Sequence, residues 1–211
     1  MFSGIVKQTS PVVSIDHREG LSMIRVALGS YAEGLNRGAS VSIAGVCLTA
    51  TDIKDGDVCF DMMQETLQKT TLGSLRVGDA VNTERSIRAS DEIGGHRVSG
   101  HITGMAEIIR IDTPPNNRIL TLRVDPAWIP FILPKGFIAL DGCSLTVVDV
   151  GADTFTVHLI PETLALTTFG RKTVGDHVNL EIDPTTQAIV ETVRRYMENE
   201  NGRAPVAPRP S

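Results

Sequence analysis

The chain restates itself. Glu162-Thr163-Leu164 repeats Glu65-Thr66-Leu67 at a distance of 97 residues. At the same distance Thr167-Thr168 and Gly170 repeat Thr70-Thr71 and Gly73. Gly175-Asp176, Val178-Asn179 and Glu181 repeat Gly78-Asp79, Val81-Asn82 and Glu84. Gly142, Leu145, Thr146 and Asp149 fall on Gly45, Leu48, Thr49 and Asp52. Carried to the start of the chain, this single spacing puts Ile102 on Ile5 and His101 on Gly4. One repetition at this length means a duplicated folding unit, because solenoids repeat more often and at shorter periods. Between the copies lies Gly94-Gly95-His96-Arg97-Val98-Ser99-Gly100-His101. Its glycines give the backbone freedom, so it reads as a hinge.

Within the first copy, Pro11 to Asp16, Leu21 to Leu28, Val41 to Ala44, Cys47 to Ile53, Val58 to Met62 and Asp79 to Glu84 read as short strands. They are rich in β-branched residues and end at turn formers. Lys54-Asp55-Gly56-Asp57 is a hairpin signal, because Asp-Gly accepts the left-handed turn. Tyr31 to Leu35 and Gln64 to Lys69 read as short helical turns. Six strands in about 90 residues suggest a small closed β-barrel, and the second half repeats the plan. The expected fold class is therefore mainly β, two barrels in tandem over residues 1–92 and 93–183.

Asp183-Pro184 begins something outside both copies. Asp is a good N-cap, and Pro suits the first helical position. Ala188, Ile189, Thr192, Val193, Tyr196 and Met197 follow at helical spacing. An amphipathic helix over 184–198 is expected, with an apolar stripe covered by its own barrel or by another copy of the chain. The proline-bearing stretch 199–211 reads as a disordered tail.

Composition narrows the function. The net charge of −5, with no basic run, argues against a nucleic-acid partner. Three cysteines, Cys47, Cys59 and Cys143, are too few and too scattered for a disulfide framework or a zinc site. No apolar run reaches the roughly 20 residues of a membrane helix, and Met1-Phe2-Ser3-Gly4 does not open a secretory leader. A cytoplasmic protein without membrane contact is expected.

A duplicated barrel suggests a duplicated site, and the places where the copies differ mark candidate chemistry. Ser144 stands on Cys47, Asp141 on Ala44 and His158 on Asp61. Each has a structural reading beside the functional one. Cys47 on a strand also reads as a small apolar residue, Ser144 as a turn serine, and His96 as a turn cap. Thr49 and Thr146 are good strand formers in any case. Ser144, His101 and Asp141 can be assembled into a triad, but no spacing selects it and the Gly-x-Ser-x-Gly elbow is absent. Gly94-Gly95 with Gly100 lacks the spacing and the following helix of a dinucleotide fingerprint.

Several ordered motifs then point to a family. Met1-Phe2-Ser3-Gly4-Ile5-Val6, Gly45-Val46-Cys47-Leu48-Thr49, the Gly94–His101 stretch, Lys135-Gly136, Asp141-Gly142-Cys143-Ser144-Leu145-Thr146 and Pro161-Glu162-Thr163-Leu164 together resemble the riboflavin synthases of the homotrimeric alpha-chain type. The resemblance spans roughly residues 1 to 195. It implies two six-stranded Greek-key barrels and a helix that joins three chains. It also implies a dismutation without metal or cofactor, in which one 6,7-dimethyl-8-ribityllumazine passes a four-carbon unit to another. The products are riboflavin and a ribitylaminopyrimidinedione. Each site would lie between the first barrel of one chain and the second barrel of its neighbour. Association with a lumazine synthase capsid is a further partner that the family suggests.

Residue by residue, the resemblance implies Cys47, Ser144, His101 and Asp141 as the catalytic set. In the first barrel Ser40, Leu48, Thr49, Asp61, Met62, Met63, Gln64, Glu65 and Thr66 would bind substrate. In the second, Leu145, Thr146, Ile160, Pro161, Glu162, Thr163, Leu164 and Ala165 would do so. Gly4, Ile5 and Val6, and Gly100 to Ile102, would reach across the pair, and Phe2 would close the pocket. His96, Lys135 and Asp183 complete the set. Ser3, Ala44 and Ala50 depart from the commoner threonine, asparagine and valine. The rival implied by resemblance is an antenna protein, which binds one lumazine or flavin without turning it over.

Overall fold

The computed structural model describes residues 1–201. The first unit contains β1 (Gln8–Arg18), β2 (Leu21–Ala27), β3 (Ser40–Ile43), β4 (Val46–Lys54), β5 (Asp57–Met63), the short helix α1 (Gln64–Lys69) and β6 (Ala80–Arg85). The second contains β7 (Gly104–Asp112), β8 (Arg118–Arg123), β9 (Phe137–Leu140), β10 (Cys143–Val150), β11 (Thr154–Leu159), α2 (Pro161–Leu166) and β12 (His177–Ile182). Each set closes into an antiparallel barrel. The strand order is β1-β2-β5-β4-β3-β6, and β7-β8-β11-β10-β9-β12 follows the same path. Closure leaves no strand edge unpaired.

Strand alternation sorts side chains between the barrel interior and the outside. Along β4, Val46, Leu48 and Ala50 are buried while Cys47 and Thr49 look outward. Along β10, Cys143, Leu145 and Val147 are buried while Ser144 and Thr146 look outward. Phe60 fills the first core, and Phe155 and Phe169 the second. Removing one of these from water contributes roughly 1.5–3 kcal/mol. The expected hairpin turn is present: Asp55 and Gly56 both have positive φ, 53° and 85°. This fits the primed turn that two-residue hairpins favour.

The single 97-residue spacing does not hold throughout. Ser3 and Gly4 donate their backbone N–H groups to Glu84, and Ser99 and Gly100 donate theirs to Glu181. The structural equivalents of Ser3, Gly4, Ile5 and Val6 are thus Ser99, Gly100, His101 and Ile102, a spacing of 96. That spacing persists through β1 and β2: Leu28 N–H bonds Gly56 O as Val124 N–H bonds Asp153 O. The second copy carries one extra residue before its 3-10 turn at Pro126–Phe131, and the later elements keep 97. His101 therefore matches Ile5, not Gly4.

A pseudo-twofold seam joins the barrels. Asn82 Nδ2 donates to Asp141 O at 3.0 Å and its Oδ1 accepts from Thr168 N at 2.8 Å. Asn179 does the same in reverse, with Ala44 O at 2.7 Å and Thr71 N at 2.7 Å. The β3–β4 and β9–β10 turns meet here. A Cβ on Gly45, whose φ is +85°, would lie 2.6 Å from Gly142 N.

Asp183 caps the final helix α3 (Pro184–Asn201), accepting from Thr186 N at 2.9 Å. The helix runs to Asn201, so residues 199–201 belong to it and not to the expected tail; residues 202–211 lie outside the described part. Val190 packs on the second core and Arg194 lies over Phe131. Ile189, Val193, Tyr196 and Met197 stay 60%, 51%, 66% and 57% exposed, so the chain's own barrel leaves this stripe uncovered. Among the described residues no helix is long and apolar enough to cross a membrane.

A buried carbonyl and a part-buried amide lose their partners when either seam asparagine is cut back. Asn179→Ala should therefore destabilise the protein by roughly 2–4 kcal/mol, read from urea unfolding. Gly45→Ala should destabilise as well, because the barrels must part to admit the methyl group. A wild-type midpoint for both variants would show that the seam does not hold the barrels together.

Candidate functional site

The outward residues of β4 and β10 sit under backbone from the other barrel. Cys47 N–H donates to Gly100 O at 2.9 Å, and Ser144 N–H donates to Gly4 O at 2.8 Å. Each barrel thus lends its leading segment to roof the strand face of its twin. Room for side chains is minimal at these crossings. A Cβ on Gly4 would lie 2.5 Å from Ser144 Cβ, and one on Gly100 would lie 2.5 Å from Cys47 Cβ.

The first recess has about 390 Å³ of space beside Cys47, bounded by Val98, Ser99, His101, Asp183 and the unanticipated Arg97. Three of the sequence-derived candidates, Cys47, His101 and Asp183, meet there. Ser40 lies opposite Thr49 in the β3–β4 register, and Asp61 and Met63 are exposed on β5. Burial raises the Asp183 carboxyl, but the hydrogen bonds from Thr186 and Thr185 outweigh it and hold the group below its ordinary value. Asp183 is thus an anionic rim that also caps α3.

The second face is built differently. Ser144 Oγ is 2.6 Å from His96 Nδ1, and the His96 ring stacks on Phe137 with centroids 5.1 Å apart and planes 14° apart. Gly95 permits this approach, because a Cβ there would lie 2.7 Å from Ser144 Cβ. Burial pushes the His96 pKa down, against a smaller upward pull from Asp183. A neutral imidazole bonded to a serine hydroxyl can relay a proton. The triad of Ser144, His101 and Asp141 is not formed. The histidine on Ser144 is His96, which does more than cap a turn, while His101 stands exposed at the other recess.

Asp141 belongs to the seam. Its carboxylate accepts from Asn179 N at 2.7 Å and lies 3.5 Å from Lys172 Nζ. Burial pushes its pKa up, with Lys172 and Asn179 pulling it back. A larger polar recess of about 600 Å³ lies along this seam, bordered by Asn82, Asp141 and Lys172. Neither Cys47 nor Ser144 reaches it.

Other candidates divide cleanly by strand parity. Leu48, Met62 and Leu145 are 5%, 1% and 8% exposed and belong to the barrel cores, so their side chains do not face a ligand. Phe2 is fully buried against Val98 and Ala139, and its backbone pairs with Val98; it is a wedge under the recess, not a movable cover. Thr146, Ile160, Pro161, Glu162 and Ala165 are exposed on the second unit, Thr163 is half-buried, and Leu164 packs on the core. Gln64, Glu65 and Thr66 open α1, with Glu65 paired to Lys69 at 2.6 Å. Lys135 is exposed in the turn before β9 at a φ of 66°. Cys143, by contrast, is buried, and its thiol is pushed up to about 12, so it is inert. Phe137 was not foreseen. Its only sequence signal is its place opposite Ser40 in the repeat, where the copies differ.

Comparison with known proteins places this geometry. The family model for the lumazine binding domain matches twice, over residues 3–86 and 99–183. The riboflavin synthase of Escherichia coli (strain K12) is 51% identical over 199 residues, covering 93% of each chain. That of Chlamydia pneumoniae is 43% identical, covering 93% of this chain and 97% of its own. That of Bacillus subtilis (strain 168) is 36% identical, covering 95% and 93%. Among solved structures, LumP complexed with riboflavin superposes with a TM-score of 0.79 at 24% identity, covering 87% of this chain and 100% of that one. LumP complexed with 6,7-dimethyl-8-(1'-D-ribityl) lumazine gives 0.79 at 23%, covering 87% and 99%. The doubled domain and these identities over nearly the whole chain make it a member of the riboflavin synthase family.

Proposed function

We propose that this chain is a riboflavin synthase. It converts two molecules of 6,7-dimethyl-8-ribityllumazine into riboflavin and 5-amino-6-(ribitylamino)uracil by moving a four-carbon unit between them. The observation that carries the reading is the exchange of leading segments, which gives one chain two related strand faces, each roofed by backbone of its twin, with a recess at the Cys47 face. Donor and acceptor are the same compound, so two related binding faces suit the reaction. Holding both rings in contact replaces a bimolecular encounter, an advantage of roughly 7–11 kcal/mol at best. One lumazine loses a proton from its 7-methyl group, and the other is attacked at C7 by a nucleophile or water.

On this reading Cys47 and His101 act at the first recess, with Ser40, Thr49, Asp61 and Met63 lining it. Ser144 and His96 act at the second, with Thr146, Ile160 and Thr163 around them. Lys135 supplies a cation, and Asp183 an anion at the rim. We assign residues 1–92 and 93–183 as two lumazine-binding units that meet across chains. The exposed α3 stripe joins three copies, so that the first barrel of one faces the second barrel of the next. The working protein is cytoplasmic, and a lumazine synthase capsid is a plausible partner to test by co-sedimentation.

Purified protein with dimethylribityllumazine and no other addition should yield one riboflavin for every two lumazines consumed, followed by absorbance and chromatography. Tight binding without turnover would overturn the assignment in favour of an antenna. Against that outcome stands 51% identity to a synthase, compared with 24% to LumP.

Ending the chain after Asp183 should give monomers by light scattering, with activity lowered roughly a hundredfold or more, about 2.7 kcal/mol of barrier. A monomer with full activity would rule out the intersubunit site.

The pH response follows from His96. Its folded pKa lies below the ordinary imidazole value of about 6.5. The stability it confers is therefore complete above that value and drains away as pH falls toward the lower folded value. Unfolding free energies measured between pH 7.5 and 5 should show this acid loss, and His96→Gln should flatten it. An unchanged slope in the variant would assign the acid limb to another group.

A further inference from the structure

The Cys47 and Ser144 faces are not equivalent, and the difference centres on one side chain. At the 97-residue spacing Ser40 and Phe137 occupy the same place, at the start of β3 and β9. Ser40 opposes Thr49 across β3–β4, and Phe137 opposes Thr146 across β9–β10. Phe137 is 53% exposed on this chain, so the barrel core does not account for the aromatic ring. Its contact is with the imidazole of His96, nearly parallel at 5.1 Å. His96 itself is only 8% exposed and spends its Nδ1 on Ser144 Oγ at 2.6 Å.

Three constraints therefore fix the imidazole. Phe137 covers one face, Ser144 holds one nitrogen, and Gly95 lets the backbone come close enough for both. Cys47 instead has the exposed His101 at its recess, and among the described residues no aromatic ring stacks on that imidazole.

We infer that Phe137 is a positioning residue of the second face, which clamps His96 onto Ser144 and so fixes the imidazole that handles a proton there. The inference rests on the synthase reading for its kinetic consequence, but the clamp itself is a property of the free protein. Phe137 touches no reacting atom in this role. It acts by covering the imidazole and fixing its angle to Ser144.

Asp183 is the charged group that acts on His96; the other neighbours, Ser144 and Phe137, are uncharged at neutral pH. Removing Phe137 should open the imidazole to water and let it titrate closer to the ordinary value. The exposed position of the ring means that the barrel core does not depend on it.

The test uses the full chain with Phe137→Ser, which installs the residue of the first copy, and with Phe137→Leu and Phe137→Tyr. His96 is followed by NMR titration, assigned by its loss in His96→Gln, and turnover by riboflavin formation. Phe137→Ser should raise the His96 midpoint and lower kcat about tenfold or more, while the Kd for dimethylribityllumazine changes less than about threefold. Phe137→Tyr should restore both the midpoint and kcat, and Phe137→Leu should restore neither fully. A His96 midpoint that does not move in Phe137→Ser overturns the clamp. So does a large rise in Kd at unchanged kcat, which would make Phe137 a stacking surface for substrate. If the wild type forms no riboflavin yet the midpoint moves as described, the clamp stands and the synthase reading falls.

Discussion

Two buried carboxylates govern the architecture. Glu84 accepts from Ser3 N at 2.7 Å, Ser3 Oγ at 2.6 Å and Gly4 N at 3.1 Å. Glu181 accepts from Ser99 N, Ser99 Oγ and Gly100 N in the same way. Each holds the leading segment of its own barrel where it turns through positive φ, at Gly4 (74°) and Gly100 (83°), and that turn lands on the strand of the other barrel. Burial pushes the Glu84 pKa up, while these three donors pull it back. A buried carboxyl is a costly way to fix a loop unless its donors are supplied together, as here. What the arrangement secures is geometry: Gly4 and Gly100 deliver their carbonyl groups to Ser144 and Cys47 at hydrogen-bond distance. The recesses exist because two chain segments are crossed, not because either barrel alone is hollow.

The crossing explains why the barrels cannot be treated as independent beads. Asn82 and Asn179 each satisfy a carbonyl and an amide of the opposite unit. Their four partners are backbone groups: two buried carbonyls, of Asp141 and Ala44, and two part-buried amides, of Thr168 and Thr71. Such groups are expensive to leave unpaired, so the asparagines are structural in both copies. The same economy places Asp141 where a functional reading would not. Its position opposite Ala44 marks divergence, but the divergence adds a seam contact to Lys172 and not a catalytic carboxylate.

Much of this was legible in the residues. The repeat disclosed two units, β-branched runs bounded by turn formers disclosed their strands, and Asp183-Pro184 disclosed the start of α3. Cys47 and Ser144 stand out as a differing pair just before a shared Leu-Thr, and both face outward beneath a borrowed roof. Three things escaped. A motif runs through consecutive residues while a strand alternates them, so Leu48, Met62 and Leu145 share motifs with neighbours that point the other way. The one-residue slip was hidden because the later elements, where identities are dense, all keep the spacing of 97. His101 was then aligned on Gly4, and the true pairing of Ser3-Gly4 with Ser99-Gly100 was passed over. Finally, histidine and serine can meet only through folding. Nothing in the spacing from His96 to Ser144 announces a 2.6 Å contact, whereas the nearness of His101 to the hinge glycines gave it undue weight.

Duplication supplies two copies of a pocket, but a reaction between two identical molecules needs them to behave differently. Symmetric recesses would bind donor and acceptor alike and leave the direction of proton flow undefined. The structure breaks the symmetry at few points. Strand, roof and threonine are shared, as Thr49 and Thr146 show. The polar side chains beside them are not: a thiol with an exposed imidazole on one side, a hydroxyl with a buried and stacked imidazole on the other. A buried neutral histidine gives up a bonded proton under different conditions from a solvated one. Small substitutions on a common frame are thus enough to separate roles, because the frame fixes where the two rings sit and leaves only the local pKa and hydrogen bonding to differ. Glu84, Glu181, Asn82 and Asn179 make that common frame: they hold the crossing and the seam alike in both copies, while the side chains beside it differ.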